Sequence, residues 1–161
     1  MASPTRHRIG RPLRAYVDTS VFGGVHDAEF QLPSERFFAA VRAGSITILV
    51  SAATADEIVA APEPVQATFR EHEAYMELIE NTPEAARLAQ AYLAAKVVRR
   101  AARVDALHVA TASVTRADVL VSWNFRDIVQ LKRITGFHAV NLTHGYPLIE
   151  IRSPLEVAYE Q

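Results

Sequence analysis

Cysteine is absent from the 161-residue sequence, which removes thiol chemistry, a disulfide framework and cysteine-ligated zinc together. Its absence also suits a reducing compartment. No apolar run approaches the roughly 20 residues that a membrane helix needs. Met1 to Arg14 carries Arg6, Arg8, Arg11 and Arg14 but no apolar block, so a secretory signal is not expected. A dominant charge is missing too: 17 basic residues against 18 acidic ones leave a net −1. Any nucleic-acid partner must therefore be met by a local patch rather than by the total. No repeat, low-complexity tract or linker interrupts the chain. These absences predict a soluble, cytoplasmic protein without membrane contact, folding as one domain over 1–161.

What is present is a large apolar fraction, 50% of residues, enough for a substantial core without cross-links. The basic side chains are arginine except for Lys96 and Lys132, and arginine is the better fork for phosphate oxygens. They crowd in a basic N-terminal arm, residues 1–13 with Arg14 beside it, and at Arg99, Arg100 and Arg103. Surface solubility is the plain explanation for any one of them.

Short apolar runs alternate with amphipathic stretches, the pattern of an α/β domain with a mainly parallel sheet. Ala15-Tyr16-Val17 reads as a first strand, Ile46 to Val50 as a second and Val119 to Val121 as another. Pro33 opens a helix carrying Phe37, Phe38 and Val41, and Gly44 closes it. Thr54 to Ala60 is a further helix, Met76 to Ile79 is either helix or short strand, and Thr82-Pro83 starts a helix with Leu88 and Tyr92 on one face. Val104 to Val114 is apolar almost all round, as a buried central helix is. Phe125 to Leu131 is predicted as a short helix, Phe137 to Leu142 as a last strand and residues 143–161 as an extended C-terminal tail.

Three acids stand where a solvated surface charge is not expected. Asp18 follows the first strand, Glu57 follows the second, and Asp105 opens the buried helix. Function in open parallel sheets collects beyond the carboxyl ends of the strands. Asp18, Ser51 with Glu57, and Ser122-Trp123-Asn124 all fall there. Each acid also has a purely structural reading: Asp18 as a turn cap, Thr54 to Glu57 as a capping box, Asp105 as a helix-start acid. Convergence would favour function, because crowded carboxylates repel unless a cation neutralises them. Oxygen-only donors select a hard ion such as Mg²⁺ or Mn²⁺.

Four segments in register resemble a known family. Tyr16-Val17-Asp18-Thr19-Ser20-Val21 resembles the opening strand and acid motif of PIN domains. Asp105-Ala106-Leu107-His108-Val109-Ala110-Thr111-Ala112 resembles the helix motif of their VapC-type toxin branch, and is the most specific match. Leu120-Val121-Ser122-Trp123-Asn124-Phe125 is similar to the late strand and turn of that branch, and Gly145 to Pro154 resembles a tail of some members. The resemblance implies a three-layer α/β/α sandwich and a metal-dependent endoribonuclease, the toxin of a type II pair. It carries Asp18, Glu57 and Asp105 over as metal-holding and catalytic acids. Asn124 stands in the usual place of a fourth acid, with Asp127 three residues on. Asn124 can still donate to phosphate or hold a water, and Asp127 can act through a water or merely solubilise a helix start.

On this reading Thr19, Ser20 and Ser122 bind phosphate or carboxylate, or simply bond turns and caps. Arg99, Arg100 and Arg103 would engage RNA phosphates. His108 is expected to be a packed, hydrogen-bonded residue, and Trp123 a packing residue. The Phe37-Phe38 and Leu88-Tyr92 helices are candidates for a dimer face or for core. Partners implied are RNA, a small antitoxin protein and a second copy in a homodimer. Two rivals remain: a non-catalytic PIN-fold binding module, and a haloacid-dehalogenase-like phosphotransferase. The second expects Asp-x-Asp, whereas Asp18-Thr19-Ser20 lacks the second acid.

Overall fold

The computed structural model describes residues 10–159. Among them, β1 (Leu13–Val17), β2 (Ile46–Ser51), β3 (Met76–Ile79), β4 (Val119–Val121) and β5 (Ile151–Arg152) form one parallel sheet, ordered β3-β2-β1-β4-β5. The helices are α1 (Thr19–Gly24), α2 (Gln31–Arg42), α3 (Ala52–Val59), α4 (Glu63–Glu71), α5 (Pro83–Ala94), α6 (Arg103–Thr115), α7 (Leu131–Thr143) and α8 (Pro154–Tyr159).

Strand side chains alternate between faces, and helices cover both faces, so both are apolar. Tyr16, Leu49, Leu120 and Ile151 face a core built with α5, α6 and α7. Ala15, Val17, Ile48, Val50 and Val121 face a second core with Val21, Phe22, Phe37, Phe38 and Val157. The three-layer α/β/α expectation holds. Phe37, Phe38, Leu88 and Tyr92 are all core, at most 2% exposed, so they offer no dimer face.

Several local expectations change. Leu13 already belongs to β1, bonding to the Ser45 carbonyl, so the basic arm ends earlier than residue 13. Arg6 and Arg8 lie outside the described residues, while Arg11 pairs with Asp118 at 2.8 Å and Arg14 with Glu77 at 2.9 Å. The helix expected from Thr54 starts at Ala52 with Ser51 as its N-cap. No Thr54–Glu57 capping box forms: Thr54 Oγ1 donates to the Val17 carbonyl, and Glu57 bonds to His108.

The segment around Phe137 is helix rather than strand. Ile134, Phe137, Val140 and Asn141 recur at helical spacing and pack inward. Gly136 lets α7 approach the chain after α5, since a Cβ there would lie 2.7 Å from Val97 Cγ1. The helix expected from Phe125 to Leu131 is instead a series of turns and bends over 125–130, with Leu131 opening α7, because Asn124 Oδ1 accepts the amides of Arg126 and Asp127. The tail supplies β5 and α8 instead of an extended wrap, with Leu120 N and Ser122 N donating to the Glu150 and Arg152 carbonyls. Met76 to Ile79 takes the strand alternative.

Candidate active site

The sheet order places a topological switch between β1 and β4: from β1 the chain works outward to β3, then returns to β4. The crevice beyond the carboxyl ends of those two strands is where such sheets place ligands. Asp18 lies there. It ends β1 in an extended conformation and is the N-cap of α1, yet its side chain caps no backbone amide. Instead Oδ1 accepts from Ser20 Oγ at 2.6 Å and Oδ2 from Ser122 Oγ at 2.7 Å. Ser20 Oγ in turn accepts from Trp123 N and Ser122 Oγ from Asn124 N, each at 2.9 Å. The loop after β4 is thereby hung on the loop after β1. Next in the chain, Thr19 Oγ1 is buried with no hydrogen-bond partner among the described residues.

Asp18 is 5% exposed, and burial pushes its carboxyl above the ordinary range. His108 and the serine hydroxyls oppose the rise, and Glu57 adds to it. Asp105, in the first turn of α6, is pushed up to about 6, first by burial and next by the charge of Asp18. Asp127 and Glu57 contribute further, and His108 opposes. These mutual influences put Asp18, Glu57 and Asp105 at one end of the sheet, each within electrostatic reach of the others.

His108 lies one helical turn beyond Asp105 and therefore on the same face. It is 1% exposed. Its Nε2 is 2.6 Å from Glu57 Oε1, its Nδ1 is 2.6 Å from the Tyr16 hydroxyl, and that hydroxyl is 2.8 Å from Ser51 Oγ. An ionised Glu57 can only accept, so Nε2 carries a proton. For a neutral imidazole the chain then runs Ser51 O–H to Tyr16 O–H to His108 Nδ1. Burial pushes the Tyr16 hydroxyl up, which keeps its proton in place to donate. His108 is thus the packed, hydrogen-bonded residue expected.

The fourth family position is differently occupied. Asp127 is buried, and Arg99 grips it through Nε at 3.1 Å and Nη2 at 3.0 Å. That bond holds its carboxyl below the ordinary range. Asn124 spends its Oδ1 on the turn. Arg99 is therefore engaged by the protein itself, while Arg100 and Arg103 are exposed and form no ion pair among the described residues. Trp123 is 7% exposed and bonds to Ser34, a packing residue. His26, His138 and His144 bond to Thr68, the Ile149 carbonyl and the Val140 carbonyl.

No group of three or more histidine, cysteine or acidic side chains is close enough to hold a metal ion among the described residues. The donor set nonetheless fits a hard cation. It consists of oxygens, burial and neighbouring charge raise the proton affinity of two of its carboxylates, and the residue after Asp18 carries a buried hydroxyl without a partner among the described residues. Mg²⁺ commonly takes only one or two carboxylates, with waters and phosphate completing its shell.

Sequence reasoning left Tyr16, Ser51 and Asn81 without roles. Asn81 accepts from Ala53 N and donates to Thr111 Oγ1, tying the start of α3 to α6. Tyr16 had a signal: it alternates with Ala15 and Val17, so it points to the helix that carries Asp105, and a buried hydroxyl there needs partners. Asn81 had none.

The three-layer α/β/α fold defines a class of architecture, and solved structures share it with this chain. It matches a chain of the VapBC2 complex of Rickettsia felis, a structure bound to a DNA fragment from their promoter. The TM-score is 0.53 at 10% identity, over 88% of this chain and 98% of that one. It also matches VapC20 of Mycobacterium tuberculosis, a toxin that cleaves the sarcin-ricin loop. There the TM-score is 0.56 at 13% identity, over 84% and 98%. No family model matches the sequence, and no curated protein matches it. The chain has the PIN-like fold of these VapC structures.

Proposed function

We propose that this chain is a metal-dependent endoribonuclease, the cytoplasmic toxin of a two-component pair, with a small antitoxin protein as partner and a homodimer as its assembly. One observation carries the reading: Asp18 and Asp105, both held above the ordinary carboxylate range, feel each other's charge and that of Glu57, which bonds to His108 one turn along α6 from Asp105. The likeness to a toxin that cleaves the sarcin-ricin loop supports RNA as the substrate. No helix among the described residues is long and apolar enough to cross a membrane.

Asp18 and Asp105 would hold Mg²⁺ or Mn²⁺, with Glu57 reaching it directly or through a water. Bound there, the ion would supply Lewis acidity toward a phosphodiester and lower the pKa of a water. Ser20 and Ser122 fix both Asp18 oxygens, so the carboxylate enters the reaction already oriented. Glu57, its side chain 41% exposed and one oxygen anchored by His108, would take a proton from the attacking water. Arg100 and Arg103 are available to phosphates.

A non-catalytic binding module has one observation in its favour: Asp127 is neutralised by Arg99, so no free fourth acid is supplied. The test separates the two. Purified protein with Mn²⁺ and mixed structured RNAs should cut, EDTA should stop the cutting, and Asp105→Asn should lower it more than 100-fold with the circular dichroism spectrum unchanged. Binding without cleavage supports the module. Full activity in Asp105→Asn removes Asp105 from the chemistry.

A further inference from the structure

Next to the acidic crevice, three aromatic rings form a stack that the carboxylate chemistry does not use. Phe30 lies parallel to Trp123, ring centroids 4.2 Å apart at 19°. Phe125 leans on both, 6.2 Å from Phe30 and 6.0 Å from Trp123. The base of the stack is locked: Trp123 Nε1 donates to Ser34 Oγ, and a Cβ on Gly24 would come within 2.5 Å of that nitrogen, so only glycine seats the indole there. The top is open, with Phe125 47% exposed.

The position of the stack ties it to the site. Phe125 follows Asn124, whose amide bonds to Ser122 Oγ, which itself donates to Asp18. A large exposed ring in a tight turn contributes little to folding. It is flanked by cations: Arg126 is the next residue, exposed and without an ion pair among the described residues. Arg99 and Arg133 approach the same turn around Asp127. A rigid aromatic face bordered by guanidinium groups is the arrangement that holds single-stranded nucleic acid, since every base has a π-face and every linkage a negative charge.

We propose that Phe30 and Phe125 form a shelf on which one unpaired RNA base stacks while the adjoining phosphodiester lies over Asp18 and Asp105. The inference rests on RNA as the ligand of the site and adds that the target must present a base free of its duplex. Single strands and loops fit; a continuous duplex does not, because its bases are already stacked on one another.

The experiment is done in EDTA, so that binding is read apart from cutting. Single-stranded RNA hexamers carrying 2-aminopurine at successive positions are titrated with the full chain, and affinity and fluorescence quenching are followed. Wild type should quench at one position. Phe125→Ala should lose that quenching and bind about 10-fold more weakly, with an unchanged melting temperature. Phe125→Trp should restore both, and a blunt duplex of the same sequence should be bound equally by all three proteins. Unchanged affinity and quenching in Phe125→Ala overturn the shelf and leave this face to a protein partner. Failure of wild type to bind any hexamer overturns it as well. Cleavage in Mn²⁺ separates the two ideas: binding with quenching but no cutting sinks the nuclease and keeps the shelf, whereas normal cutting by Phe125→Ala with unaltered quenching does the reverse.

Discussion

Two polar networks, one inside the helix layer and one at the strand ends, are built to opposite ends. In the helix layer, Asn141 accepts from the Tyr92 hydroxyl and donates to Ser113 Oγ and the Pro147 carbonyl, each at 2.9 Å. Ser113 Oγ donates to the Val109 carbonyl. Every member is neutral and partnered, and the network ties α5, α6 and α7 together. At the strand ends, burial and then neighbouring charge raise the affinity of Asp18 and Asp105 for protons, and Thr19 Oγ1 has no partner among the described residues. The first network is closed and stabilises the fold. The second gathers carboxylates whose repulsion a bound cation would relieve.

The sharpest way to break this comparison is to damage the closed network. Asn141→Ala takes from the Tyr92 hydroxyl, Ser113 Oγ and the Pro147 carbonyl the side chain that joins them, leaves the Tyr92 hydroxyl only its 3.5 Å contact with Ser113, and should cost about 3 kcal/mol in urea unfolding. A loss below about 1 kcal/mol would mean that the network does not hold the helices. The open network should respond with the opposite sign. Mn²⁺ at about 100 times its dissociation constant should stabilise wild type by about 2.7 kcal/mol, and EDTA should reverse the gain.

Asp105→Asn should make the metal-free protein more stable at pH 8. The folded chain holds the Asp105 proton up to about pH 6, against 3.8 for the ordinary side chain. Between those values the folded state binds more protons than the unfolded one, so stability falls as pH rises through the window and stays low above it. Allowing for the group's partial exposure, the recovered stability is about 1–2 kcal/mol. Wild type in EDTA should lose stability from pH 4 to pH 6.5, and Asp105→Asn should lose less. Parallel pH curves for the two proteins would show that Asp105 is not under charge pressure.

The sequence exposed the charged half of the comparison and hid the neutral half. Asp18, Glu57 and Asp105 stood out because acids beside apolar runs violate the surface rule, and the mainly parallel α/β architecture was legible from the alternation of runs, although β5 was not. Asn141 was not. It sits in the stretch expected to be a strand, where the run Phe137 to Leu142 gave an apolar count too short to separate period 2 from period 3.6. Its neighbours in the network, Tyr92 and Ser113, are 49 and 28 residues away, a contact that no local pattern encodes. Asp127 was misjudged for a related reason: its partner Arg99 is 28 residues upstream, and only the packed α6 brings the two loops together.

The finest test is a matched pair of tyrosines. Tyr16 and Tyr92 are both fully buried, both bonded through the hydroxyl to two side chains, and burial pushes both hydroxyls up. Removing either hydroxyl should therefore cost a similar amount, about 1 kcal/mol. Their consequences for cutting should differ. Tyr92→Phe disturbs helix packing that the crevice does not sense, so kcat should be unchanged. Tyr16→Phe removes the partner that sets the His108 ring, and Glu57 then loses the donor fixing its Oε1. Loss of such a supporting bond should lower kcat about 10-fold with KM unchanged. If both variants cut at the wild-type rate, the Tyr16–His108–Glu57 chain is only another closed network, and the division between the two regions fails at that point.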